Sequence, residues 1–430
     1  MSLSPEASAL NDRLRAGCPA ALACLSRYGR GLVFPYGGTV GQGAEAEDAR
    51  WNATIGIALD DDGVPLHLEA MQKHLALHPR EVYPYAPAFG VRALREKWAA
   101  MQRSKAPSFP PVATLPVVTA GLTHGLRILA ELFLDPGETF LIPDPCWDNY
   151  HLIFSASGAT IVPVTMFASD AFNVDGWRTA MEKAGDKVVL LLNFPNNPTG
   201  FSLRRAEADA LLAVITERAA AGQHVVVAVD DAYIGFTFED DAVAESLFGR
   251  LAQLHERVLA VKIDGPTKED CVWGHRVAFM TMGCPGLTED AALALADKIA
   301  AAVRASVSNA SHLAQRLLLH GYDDPQYAAQ RRAAYDLLKS RYRVLRRCID
   351  DPRYRRSFRP LPCNGGYFAS LELVDGLDGE AVRKTLLAEF GVGIIAFGRL
   401  VRVAFSCVPE RDIPTVIDAI DQACQRHLTS

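Results

Sequence analysis

The residue types best suited to chemistry sit just after three apolar, β-branched runs. Val188–Leu192 leads into Asn193, Phe194, Pro195, Asn196, Asn197, Pro198, Thr199 and Gly200. Val225–Val229 leads into Asp230, Asp231, Ala232 and Tyr233, and Val258–Ile263 leads into Asp264, Gly265, Pro266, Thr267 and Lys268. A lysine held in a cationic, desolvated site has its pKa lowered, so that its neutral amine can bond to a carbonyl. The step Thr119–Ala120–Gly121–Leu122–Thr123 opens a helical pattern and offers backbone amides to an anion. Singly, each feature is ordinary. Asn-Pro-Thr-Gly is turn chemistry, and a lysine beside Glu269 and Asp270 reads equally as a solvated surface residue.

Ligands of open α/β sheets bind at the carboxyl ends of strands, so the elements that carry these residues decide what they can do together. Strands are expected at Pro116–Thr119, Thr139–Ile142, Thr160–Val164, Val188–Leu192, Val225–Asp230, Val258–Ile263 and Val277–Met282. Several are almost wholly apolar, as strands covered on both faces are, and they alternate with helical patterns as βαβ units do. One helix is expected over Leu122–Leu134, stopping at Asp135–Pro136–Gly137, and another over Leu203–Ala221 with Ser202 as N-cap and Gly222 closing it. Beyond Ser311, Pro325 opens an Arg-rich helix to about Cys348, and strands at Tyr367–Leu373 and Leu400–Phe405 flank a helix at Gly379–Phe390. The fold class is thus α/β, a large domain with a mostly parallel seven-stranded sheet at 69–315, plus a small α+β domain at 316–430. The segment 1–68, without strong periodicity, is expected to pack on the small domain.

Composition bounds the partners. Hydrophobic residues make up 49% and charged residues 22% of the 430, ordinary for a globular protein of two domains. The net charge of -6, with no Lys/Arg stripe, argues against nucleic acid and membrane surfaces. The opening residues carry Glu6, Asp12, Arg13 and Arg15 and read as neither a signal peptide nor a membrane span, so the cytoplasm is the expected location. Nine cysteines without metal or disulfide spacing read as small buried hydrophobes, and no metal is expected.

In order along the chain, NNPTG, DDAY after an apolar strand, and Lys268 eight positions before Arg276 resemble the class I/II aminotransferases of pyridoxal-phosphate fold type I, the aspartate aminotransferase superfamily. The resemblance implies pyridoxal 5'-phosphate as cofactor, held covalently by Lys268. It places Asp230 at the pyridine nitrogen, where a carboxylate keeps the ring protonated as an electron sink. Asp231 is the rival, but strand alternation sends it to the opposite face. Tyr233 and Asn197 match positions that hydrogen-bond the ring's phenolic oxygen, and Trp147 matches an aromatic stacked on the ring. For the phosphate the resemblance implies Gly121, Leu122, Thr123 and the fork of Arg276. The chain departs from the family at Gly265, where a serine is common; Thr267 or Thr123 could supply the missing hydrogen bond.

By the same resemblance Arg402 holds the substrate α-carboxylate, and Gly365–Gly366–Tyr367–Phe368 begins a small-domain strand. Tyr85 resembles a tyrosine given to the phosphate of a partner subunit, which implies a homodimer. Arg304 resembles a second arginine, also from a neighbouring subunit, that receives the side-chain carboxylate of aspartate or glutamate. The implied reaction moves an amino group between an L-amino acid and a 2-oxo acid. The alternatives are a lyase or an aromatic or broad-specificity aminotransferase on the same scaffold, and a regulator that binds the cofactor without turnover. Such regulators carry a DNA-binding helix-turn-helix domain, for which the sequence before Asn52 is too short.

Overall fold

Strict alternation of apolar side chains divides each central strand between two cores. Val189, Leu191, Val226, Ala228, Val261 and Ile263 face one of them, whereas Val188, Leu190, Val225, Val227, Val229 and Ala260 face the other. Both faces must therefore be covered, and they are. The helix Leu122–Phe133 brings Leu126 and Leu129 to the first core; the helices Val174–Lys183 and Arg205–Ala220 bring Trp177, Leu211 and Ile215 to the second.

In this computed structural model, which describes residues 3–428, these strands form one seven-stranded sheet. In chain order they are β1 (Val117–Thr119), β2 (Thr139–Asp144), β3 (Thr160–Thr165), β4 (Lys187–Asn193), β5 (His224–Asp230), β6 (Val258–Asp264) and β7 (Ala278–Gly283). Their spatial order is β1-β7-β6-β5-β4-β2-β3, and only β7 runs antiparallel to its neighbours. Asp230 pairs in register with Asn193 on one side and with Ile263 on the other. The three chemistry-bearing strand ends thus lie side by side.

A second, four-stranded antiparallel sheet is built from β8 (Phe358–Pro360), β9 (Phe368–Leu373), β10 (Ile395–Phe397) and β11 (Leu400–Ala404), in the order β8-β9-β11-β10. The N-terminal arm joins this end of the chain. Trp51–Asn52 pairs in parallel with Val392–Gly393, the Gln42 side chain bridges both the amide and the carbonyl of Ala396, and Arg383 holds Glu45 at 2.6 Å.

The arm, without strong periodicity in its sequence, forms helices at Pro5–Gly17, Pro19–Cys24, Arg27–Gly31 and Thr39–Glu45. These are short and the first three bury little, so hydrophobic periodicity could not reveal them. Ser202 is not the N-cap; the helix starts at Arg205 behind Arg204. Ser202 is instead taken up by Asn364, whose side chain accepts from its amide at 2.7 Å and donates to its carbonyl at 2.8 Å. The long helix begins at Tyr327, two residues after the expected Pro325.

The loop after β4 is welded to the second sheet through Gly200, whose carbonyl accepts from the amides of Asn364 and Gly365. Its φ is 73°, and a Cβ there would stand 2.1 Å from the Phe368 carbonyl oxygen and 2.8 Å from that of Gly365. Gly200→Ala is therefore expected to destabilise the fold by about 2 kcal/mol or more. Chemical denaturation checks this, and an unchanged midpoint would contradict the close approach.

Candidate active site

Lys268 reaches its place because β6 ends at Asp264 and Gly265 turns the chain into the single helical turn Pro266–Glu269. Tyr367 Oη donates to the Lys268 carbonyl at 2.9 Å and pins that turn from the second sheet. The Lys268 ammonium lies 5.0 Å from the ring centroid of Tyr233. Burial pulls its pKa down to about 8; the Asp230 carboxylate opposes the shift and Arg276 adds to it. An amine of this kind is partly neutral near pH 7 to 8.

Asp230 is buried at the adjacent strand end. Tyr150 Oη donates to its Oδ2 at 2.6 Å, and the Ala232 amide donates to Oδ1 at 3.1 Å. Burial raises its pKa, while the Tyr150 hydrogen bond and Lys268 pull the other way. Asp231 points to the far side of the sheet, as alternation predicts, and there pairs with Lys262 at 2.7 Å. Tyr150 was not singled out from sequence, although it closes the run Asp144–Tyr150. Nothing in the sequence says that its hydroxyl meets a carboxylate 80 positions away.

Asn193 braces the neighbouring loop. Its Nδ2 donates to the Asp230 carbonyl at 2.9 Å, and its Oδ1 accepts from the Asn197 amide at 2.9 Å. The Asn197 side chain accepts from Arg402 Nη1 at 3.0 Å. Arg402, 3% exposed on β11, also donates Nη2 to the Thr54 carbonyl at 2.7 Å and stacks 4.2 Å from the Phe368 ring centroid. Among the described residues its Nε has no partner, and burial lowers its pKa to about 10. A buried arginine left so incompletely paired is suited to a bound anion.

On the opposite side, the helix Leu122–Phe133 starts at Gly121 with no side-chain cap; the Gly121 amide donates to the Thr119 carbonyl at 2.9 Å and that of His124 to the Gly121 carbonyl at 3.2 Å, which leaves the amides of Leu122 and Thr123 for a ligand. The Arg276 guanidinium packs on Gly121, where a Cβ would stand 2.3 Å from Nη2. Thr267 Oγ1 is buried without a partner among the described residues. Lys268, Asp230, Arg276, Arg402, Thr123 and Trp147 all face one cavity of about 570 Å³, which Leu122, Asn197 and Tyr233 also line.

These features fit pyridoxal phosphate: uncapped amides, an arginine and an orphaned hydroxyl for its phosphate, a carboxylate for its ring nitrogen and a low-pKa lysine for its aldehyde. The departure at Gly265 also has a cause. A Cβ there would come within 2.9 Å of the Ala278 Cα, so a serine does not fit, and Thr267 stands nearby with its hydroxyl free. Two expected residues lie elsewhere in the single chain. Tyr85 is 91% exposed, and Arg304, exposed on the last turn of Glu289–Ser306, donates to Ser308 Oγ at 2.5 Å.

Tyr150→Phe should weaken cofactor binding roughly tenfold, since it strips a buried carboxylate of a hydrogen bond; titration of the apoprotein with pyridoxal phosphate checks this, and unchanged affinity would contradict it. Gly265→Ser should lower thermal stability without tightening that binding. A tighter-binding, equally stable Gly265→Ser variant would show that the crowding at Ala278 is not what excludes the serine.

Comparison with known proteins agrees with this geometry. The family model "Aminotransferase class I and II" matches residues 54–420. The methionine aminotransferase of Escherichia coli is 27% identical over 339 residues, 78% of this chain and 80% of its own. The arginine–pyruvate transaminase of Pseudomonas aeruginosa is 25% identical over 324 residues, 73% of each. Among solved structures, an aminotransferase from Anaerococcus prevotii superposes with a TM-score of 0.82 at 22% identity, covering 93% of this chain and 99% of the other. The chain belongs to the class I and II aminotransferases and is a pyridoxal-phosphate-dependent aminotransferase of fold type I.

Proposed function

We propose that the enzyme transfers an amino group between an L-amino acid and a 2-oxo acid by a ping-pong course, with Lys268 as its proton-carrying base. The observation that carries this reading is the low-pKa Lys268 amine in the cavity beside the buried Asp230. When bound, pyridoxal phosphate supplies an electron sink for the charge left at the substrate α-carbon. The residues do the rest. Lys268 Nζ would take the α-proton and return it at the other end of that electron sink. Asp230 would keep the ring nitrogen protonated, Tyr233 and Asn197 would donate to the ring oxygen, and Trp147 would cover the ring. Arg276, Thr123, Thr267 and the Leu122 amide would bind the phosphate beside Gly121, whose own amide is held by the Thr119 carbonyl at 2.9 Å, and Arg402 would take the α-carboxylate.

The same reading divides the chain at 1–68, 69–315 and 316–430, with the two outer segments forming one small domain; the pairing of Trp51–Asn52 with Val392–Gly393 supports it. It includes a homodimer in which Tyr85 of each subunit reaches the other's phosphate, supported by the 91% exposure of that ring. It places the protein in the cytoplasm, supported by nine cysteines that are all free. A dicarboxylic substrate requires Arg304 of a second subunit. Among the described residues of one chain, the cations lining the cavity are Lys268, Arg276 and Arg402, each with a task already, so a side-chain carboxylate finds no spare cation there.

Two measurements test the reading. Lys268→Ala should lose the absorbance of covalently held cofactor together with turnover, and normal turnover would refute the assignment. In the apoprotein, the rate of covalent cofactor attachment should rise with pH through a midpoint near 8, because only the neutral amine attacks; a midpoint near the ordinary lysine value, above 10, would contradict it. Release of ammonia and pyruvate with no oxo acid present would point to a lyase instead.

A further inference from the structure

One wall of the cavity has no part in the roles above. Thr39, Gly43 and Glu47 follow at four-residue spacing with Val40 and Ala44 beside them, so the helix Thr39–Glu45 and the turn after it present one stripe to the cavity. The stripe is tied to the carboxylate-binding arginine by an unbroken series of hydrogen bonds. Arg402 Nη2 donates to the Thr54 carbonyl, Thr54 Oγ1 donates to Asn52 Oδ1 at 2.5 Å, and Asn52 Nδ2 donates to the carbonyl of Ala46 at 2.8 Å, one residue before Glu47. At its other end, Thr39 donates its amide and hydroxyl to Asp148 at 3.0 and 3.1 Å.

The charges facing the cavity then divide cleanly. Asp230, Lys268, Arg276 and Arg402 belong to the chemistry. Glu47 is the remaining charged group of the lining, is exposed, and among the described residues forms no ion pair. Its neighbour Glu45 is already held by Arg383. Gly43 and Ala44, in the same lining as Arg402 and Glu47, present almost no side chain to the cavity.

We infer that Glu47 selects the amino donor by receiving a cationic group, an amine or a guanidinium, at the far end of a side chain whose α-carboxylate sits on Arg402. This rests on the transamination reading. A substrate with a second carboxylate would meet Glu47 as a like charge, a repulsive element of the kind that sets specificity.

The test is the half-reaction of the full-length holoenzyme, followed by loss of the absorbance of the lysine-bound cofactor, with lysine, arginine, glutamate and norleucine, the uncharged analogue of lysine. Lysine or arginine should exceed norleucine in kcat/KM by roughly tenfold, the scale of a charge-assisted contact. That ratio should fall about tenfold in Glu47→Gln, and raising the salt concentration on the unmodified enzyme should shrink it as well. Norleucine or glutamate reacting as well as lysine in the unmodified enzyme, or a ratio untouched by Glu47→Gln, overturns the inference while leaving transamination in place. Failure of every amino acid to discharge the cofactor overturns both.

Discussion

The structure depends on holding two opposite charges, the Asp230 carboxylate and the Lys268 amine, in apolar surroundings at the ends of adjacent parallel strands. Burial alone would neutralise both groups, since it raises a carboxylate's pKa and lowers an amine's. Here the amine settles near 8, while Asp230 keeps a tyrosine hydroxyl and a backbone amide pointed at its oxygens. The site is therefore able to exchange a proton near neutral pH and still has an acid fixed within it. A more solvated lysine would be too basic, and an unsupported aspartate too weakly ionised.

Holding the lysine turn still requires support from behind. The two residues after Lys268 are acidic and buried. Glu269 is gripped by Lys105 at 2.8 Å and by Arg331, and Asp270 accepts from Tyr322 at 2.9 Å and Tyr327 at 2.8 Å. Breaking such buried pairs from one side is costly, so the turn has little freedom to swing. Beneath it, Lys262 bridges Asp231 and Asp264, and Trp98 donates to Asp264 at 3.1 Å. The second sheet completes the site from above, with Tyr367 on the Lys268 carbonyl and Phe368 under Arg402.

The strands and the order of the chemical residues were legible in the sequence because each depends on local patterning. A run such as Val188–Leu192 is too apolar and too β-branched to be anything but a doubly covered strand, and the polar residues after it mark its end. What required long-range pairing was not legible. The antiparallel placement of β7 between β1 and β6 leaves no trace in local periodicity. Tyr150 is an ordinary aromatic until the fold sets its hydroxyl on Asp230. Ser202 looked like a helix cap, but Asn364, 162 positions later, competes for it. The helix Thr39–Glu45, with Gly41 and Gly43 inside it, lacks any strong propensity; it owes its place to Asp148, Ala396 and Arg383, and it was missed as a wall of the cavity.

Whether Lys268 carries the cofactor can be read by trapping the cofactor on the protein with borohydride and mapping the labelled peptide by mass. The chain offers a fair competitor, since Lys105 is also depressed by burial, to about 7, but is engaged with Glu269 on the outer side of the lysine turn. The label should fall on Lys268 alone. A label on Lys105 or Lys262, or retention of cofactor with no covalent label, would contradict it.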